Sequence, residues 1–247
     1  MTESFLVLLA GGVMLAAFIS DPREVTVNWL RLAGIIALAM TALSAYCFSR
    51  RDTTRQGEWI LYGIVFVSIL GHLGGIHLPI AAIGRPFALV AAVGGVVLGA
   101  RLALGNESAV GVISSAGIAA MSGMALMDML LGHAYLTASR MTMRPFVRLH
   151  LSLAVVTVLR AICAIGIAMV MLQRRPIELF WDRFGLFVIT RWAVGLLVPA
   201  VFIYMAYDCI KRRATQSATG ILYVAGILIF IGEIISLYLL RETRLPF

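Results

Sequence analysis

Charge is what this chain has least of. Only 13% of its 247 residues are charged, 61% are hydrophobic and the mean hydropathy is +0.98. A soluble domain carries roughly 25% charged residues, so that class is excluded. Lysine is nearly missing: Lys211 is the only one, and the net charge of +8 rests on arginine. The three cysteines, Cys47, Cys163 and Cys209, are far apart and form no CxxC or CxxCH. That excludes a disulfide framework, a zinc ribbon and covalently attached haem c. Walker loops, GxGxxG, HExxH and GxSxG are absent as well. The apolar runs lack the residue-by-residue alternation of membrane-barrel strands.

What is present is a series of nearly uncharged windows of about 20 residues, the length a helix needs to cross a hydrocarbon core roughly 30 Å thick. Backbone groups in lipid must be satisfied within the spanning element. The sequence therefore predicts an all-α fold, a polytopic integral membrane bundle of about eight transmembrane helices in one domain, 1–247. The expected spans run from about Ser4 to Ile19, Trp29 to Phe48, Trp59 to Ile83, Phe87 to Leu104, Ala109 to Leu136, Val147 to Leu172, Gly185 to Tyr207 and Thr219 to Leu240. The third is expected to stop at "GRP", because proline cannot continue a helical ladder. The N-terminal stretch has Glu3 and no basic n-region, so it reads as a retained helix and not a cleaved signal. The longest loops, "SRRDTTRQGE" and "QRRPIELFWDR", are about ten residues, so soluble chemistry must come from a partner chain.

The arginines sit mostly in the short loops, where they face lipid headgroups. Membrane lipid is the expected contact and nucleic acid is not. Basic residues divide almost evenly between the two faces, so they set no orientation. Helix parity is more informative. His72, His77, His133 and His150 all map to the leaflet opposite the N-terminus.

Ionisable residues at membrane depth are costly, roughly 2.5–3.5 kcal/mol or more, and mark functional candidates. Asp128, Arg160, Arg191 and Glu233 lie within spans, and Arg101 is close enough to an end to snorkel. Arg191 and Glu233 are expected at similar depth on consecutive helices, where they can pair; Asp128 and Arg160 are a second candidate pair. Around the hairpin "MDMLLGHAYLTASRMTMRPFVRLH", Asp128, His133, Tyr135 and Arg144 offer a base, donors and a cation of the kind a quinone headgroup requires. A b-type haem needs two facing imidazoles, which His72 or His77 with His133 or His150 can supply; His72 and His133 are the candidate iron ligands. The glycines beside His72 permit close approach of a flat ring or a neighbouring helix. Met121, Met124 and Met127, followed by Met129, His133, Met141 and Met143, also admit a Cu(I) reading, since thioether and imidazole suit that ion. Methionine at i, i+3 is equally a packing stripe. The glycines of "GGVVLG" and the series Gly111, Gly117, Gly123 mark close helix contacts. No inverted repeat links the halves, which counts against a transporter.

The segment "LLGHAYLTASRMTMRPFVRLH" and the closing "GEIISLYLLRETRLPF", in which Gly232 and Glu233 precede an aromatic and a terminal apolar segment, resemble membrane subunits of bacterial respiratory complexes. The type they are most similar to is the eight-helix, quinol-interacting anchor of dimethyl sulfoxide reductase-like enzymes. That resemblance implies a bacterial cytoplasmic membrane, an iron–sulfur partner subunit and exchange of electrons with menaquinol near one surface. Together these readings give an integral membrane subunit of an electron-transfer complex that binds quinone and, in one version, haem b. His133 and Asp128 would then handle the proton, while Arg144 or Arg160 stabilises headgroup charge. The alternatives are a small-solute or copper transporter lined by Asp128, Arg160 and Glu233, and a structural or assembly subunit without cofactor.

Overall fold

In the computed structural model, the residues described are 1–51, 56–77, 83–105, 109–137, 142–174 and 177–245, with no side-chain description at 137, 170–174 and 177–180. Arg140 and Met141 of the hairpin, and 78–82 of the expected third span, lie outside them. Among the described residues every regular element is helical: α1 (Thr2–Ile19), α2 (Val27–Ser49), α3 (Gln56–Gly75), α4 (Gly84–Leu104), α5 (Ala109–Thr137), α6 (Arg144–Arg174), α7 (Ile177–Trp192), a π-helical turn at Ala193–Leu197, α8 (Val198–Lys211) and α9 (Thr215–Thr243). Helix α7, the π-turn and α8 run on as a single span, Trp181–Lys211, so eight spans are long and apolar enough to cross a membrane. The chain is a polytopic helical bundle.

Two boundaries differ from expectation for physical reasons. The "GRP" triplet does not end α3 but opens α4, with Pro86 in its first turn. A proline there forfeits an N–H that has no intrahelical partner anyway. The second is "QRRPIELFWDR": its residues from Ile177 on are already helix, so that connection is much shorter than a ten-residue loop. Other ends follow ordinary capping. Thr26 accepts the Trp29 backbone N–H to start α2. Gly105, at φ 75°, closes α4 in the left-handed conformation that glycine adopts freely.

The spans pack as two four-helix rings. In the first, α1 packs against α2, α2 against α3, α3 against α4, and α4 returns to α1; in the second, α5 and α6, α6 and α8, α8 and α9, and α9 and α5 do the same. The rings meet along α1 and α5. This seam is backbone on backbone. A Cβ placed on Gly12 would lie 1.7 Å from the Ala119 carbonyl oxygen, and one on Gly123 would lie 2.0 Å from the Gly12 carbonyl carbon. Within the first ring, Gly11 and Gly95 bring α1 and α4 close, though less so, a Cβ on Gly95 standing 3.0 Å from the Gly11 Cα. The glycine series marked in the sequence thus reports real helix contacts. In lipid, where apolar side chains gain little from leaving the solvent, close small-residue packing drives helix association. Met121, Met124 and Met127 turn into the core beside Leu131 and Phe146, which is a packing role.

Candidate functional site

Three groups of buried polar side chains concern the candidate residues; Glu3, paired with Arg51, and the Ser44–Tyr62 hydrogen bond are buried apart from them. The first lies in the second ring, near the end where α5 leaves and α6 begins. By the helical rise, Asp128 is about 13 Å from the end of α5 and His150 about 9 Å from the start of α6. Both are fully buried, and His150 Nδ1 lies 2.7 Å from Asp128 Oδ2. Its other nitrogen, Nε2, is 2.9 Å from the carbonyl oxygen of Ile203 on α8. That carbonyl only accepts, so Nε2 carries a proton. One further proton lies between Nδ1 and Oδ2, held either by the imidazole as an ion pair or by the carboxyl as a neutral pair. Both arrangements leave the pair without net charge, which is what a lipid-embedded site requires. The Tyr207 ring lies parallel to the imidazole at 6.2 Å, and Lys211 Nζ sits 5.4 Å from the Tyr207 ring centre, toward the helix end.

The second place is about 15 Å farther along α6, near the middle of that helix. Glu233 on α9 receives Arg160 of α6 at 2.6 Å on Oε2 and Arg191 of α7 at 2.9 Å on Oε1. Arg160 also donates to Ser236 Oγ at 2.8 Å, and Arg191 Nη1 to the Gly195 carbonyl at 3.1 Å. The π-turn sets this geometry. Its extra residue brings Gly195 against Gly232, where a Cβ on Gly232 would stand 2.3 Å from the Gly195 Cα. Arg191 heads the described side chains in size among those completely buried.

The third place is in the first ring, at the same leaflet as Asp128. His72 is 2% exposed; its Nδ1 lies 3.0 Å from the carbonyl oxygen of Gly84 at the start of α4. That oxygen again only accepts, so Nδ1 bears the proton and Nε2 presents a lone pair. Nε2 is buried and has no partner among the described residues. Glycines make room for the ring. A Cβ on Gly34 of α2 would stand 3.5 Å from His72 Cδ2, and one on Gly84 would stand 3.4 Å from Nδ1. On α2, five residues before Gly34, the Trp29 indole N–H is likewise buried and without a partner among the described residues.

The remaining candidates sit elsewhere. His77 is exposed with Nε2 3.2 Å from the Arg31 guanidinium, and His133 is exposed. Arg144 is exposed, whereas Tyr135 donates to the Thr142 carbonyl and stacks on Phe146, closing the α5–α6 hairpin. Asp128 is partnered by His150; His133, expected to handle the proton with Asp128, is exposed and, five residues on, turned to another side of α5. Asp128 does not pair with Arg160, which lies about 15 Å deeper along α6. The expected Arg191–Glu233 pair forms, with Arg160 as an unforeseen third member. The imidazoles do not fit a bis-histidine haem either: both nitrogens of His150 are engaged, and His77 and His133 face outward, so His72 has no facing imidazole with a free nitrogen. Among the described residues no three His, Cys, Asp or Glu side chains group as metal ligands.

Sequence reasoning missed Trp29, Ser236, Gly195 and the Ile203 carbonyl. Ser236, three residues after Glu233 and so on the same helix face, was legible by spacing. A backbone carbonyl leaves no signature in the sequence. No family model matches the chain, and neither a curated protein nor a solved structure matches it.

Proposed function

We propose that this chain is the quinol-handling membrane subunit of an electron-transfer complex, with the quinol headgroup bound at His72 in the first ring. The observation that carries this reading is the single buried imidazole nitrogen left free by a tautomer fixed from behind. A quinol hydroxyl donates to His72 Nε2, and the Trp29 N–H serves the headgroup oxygen as donor. Oxidation of a quinol to the quinone releases two electrons and two protons. His72 takes the first proton as its O–H bond breaks, the second passes to water at the nearby membrane face, and the two electrons pass to a redox group on a partner subunit. Menaquinol in a bacterial cytoplasmic membrane is the version implied by the resemblance. Asp128 and His150, in the same leaflet but in the other ring, act as a proton-sharing pair and not as headgroup ligands.

The test is binding of the fluorescent quinol analogue 2-heptyl-4-hydroxyquinoline N-oxide to purified protein. Wild type is expected to quench the probe on binding, His72→Ala to weaken binding at least about tenfold, on the scale of a lost buried hydrogen bond, and His77→Ala to leave it unchanged. Equal affinity in wild type and His72→Ala, or no binding to wild type, overturns the reading. The rival, an assembly subunit without cofactor, is favoured by the way Arg160, Glu233 and Arg191 tie three spans together; it predicts no binding by any of these proteins.

A further inference from the structure

The cluster of two arginines and one glutamate is not electrically closed. Each Glu233 oxygen is taken by one guanidinium, and among the described residues neither arginine has a second carboxylate within ion-pair distance. Two positive charges against one negative leave a single positive charge, held by residues that are 0–5% exposed. An unbalanced charge at that depth is far costlier than a balanced pair. The hydrogen-bond inventory is open in the same sense. In both arginines an Nη2 reaches Glu233, while the Nε–H beside it on the same planar group is buried and has no acceptor among the described residues. A third donor stands nearby. The Ser114 hydroxyl on α5 is buried without a partner among the described residues, one turn before Gly117, where a Cβ would come 2.6 Å from Arg160 Cδ. Excess positive charge and unpaired N–H and O–H donors ask for one thing, a small acceptor carrying one negative charge.

We propose that Arg160, Arg191 and Glu233 form an anion site in the second ring that binds a compact monoanion, a halide or a small carboxylate. The anion neutralises the cluster, accepts from the two Nε–H groups and ties α6, the seventh span and α9 together more firmly than Glu233 alone. Glu233 sets the selectivity, since its own charge leaves room for one negative charge and not two. The site is independent of His72, so the quinol reading can fail while this one stands.

The experiment is thermal unfolding of the purified protein in detergent, in potassium chloride, potassium formate or potassium gluconate at equal ionic strength. Gluconate is too bulky for the site and serves as the reference. The wild-type midpoint is expected to rise in chloride, in formate or in both, by on the order of 5 °C at saturating anion; which salt acts distinguishes halide from carboxylate. Arg160→Gln, whose cluster is neutral, is expected to lose the anion response; Glu233→Gln, whose cluster gains a charge, is expected to keep or enlarge it. Equal wild-type midpoints in all three salts overturn the proposal. So does a response that persists in Arg160→Gln, since the anion then binds elsewhere. The wild-type comparison stands even where a variant does not fold.

Discussion

At the scale of single residues, Asp128 and His150 form a buried pair whose loss is asymmetric. Removing His150 strands a buried carboxylate, and breaking one side of such a pair costs roughly 3–5 kcal/mol. Replacing both partners with apolar residues of similar volume leaves nothing unsatisfied except the Ile203 carbonyl, already bonded within its helix. His150→Ala should therefore be more destabilised than the double variant Asp128→Leu/His150→Leu, as read from unfolding midpoints in detergent. Asp128→Asn, which can still bond His150, should lose only about 1–3 kcal/mol. An order in which the double variant is the least stable would show that the pair holds α5 and α6 together by attraction and not by mutual satisfaction. The residue types of this site were legible in the sequence, because an aspartate and two histidines at membrane depth stand out against an apolar background. Which histidine meets Asp128 was not, since that depends on the rotation of α6 and on a main-chain oxygen of α8.

At the scale of elements, the glycines include some that touch backbone, some that touch side chains and some that touch nothing. Gly195 and Gly232 meet at their Cα atoms, and no flexible side chain can give way between them. Gly195→Val or Gly232→Val should force α9 from the π-turn, part Arg191 from Glu233 and cost about 1–3 kcal/mol or more. By contrast, a Cβ added at Gly166, Gly220 or Gly226 would meet nothing within 4 Å; alanine there should be neutral or stabilising by up to about 1 kcal/mol, through better helix propensity. Melting curves of the two sets separate the cases. The eight spans themselves were readable because run length is a direct imprint of bilayer thickness. The start of α4 and the break in the seventh span were not. Pro86 is compatible with stopping one helix or opening the next, and "AVGLL" differs in nothing local from an ordinary helical turn.

At the scale of the whole molecule, the two rings are joined along α1 and α5, and one continuous apolar core runs through both. Cutting the chain between Gly105 and Ala109, the connection between the rings, should leave two coexpressed fragments that copurify. Gly12→Leu should abolish that copurification, because its side chain would have to occupy the place of the Ala119 carbonyl. Fragments that fail to associate even with Gly12 in place would show that the connection, and not the seam, holds the rings. The seam is braced at both membrane faces. Arg148 at the start of α6 reaches Glu24 between α1 and α2, and Arg244 after α9 donates to the Leu104 carbonyl at the end of α4. A carrier that works by rocking one half against the other must open such a joint on alternate sides. With main chain pressed on main chain in the middle and a clasp at either end, this joint behaves as a weld. The molecule is mechanically a fixed mount; under the quinol proposal, such a mount would hold headgroup and partner at one constant separation, the condition under which electron tunnelling keeps a steady rate.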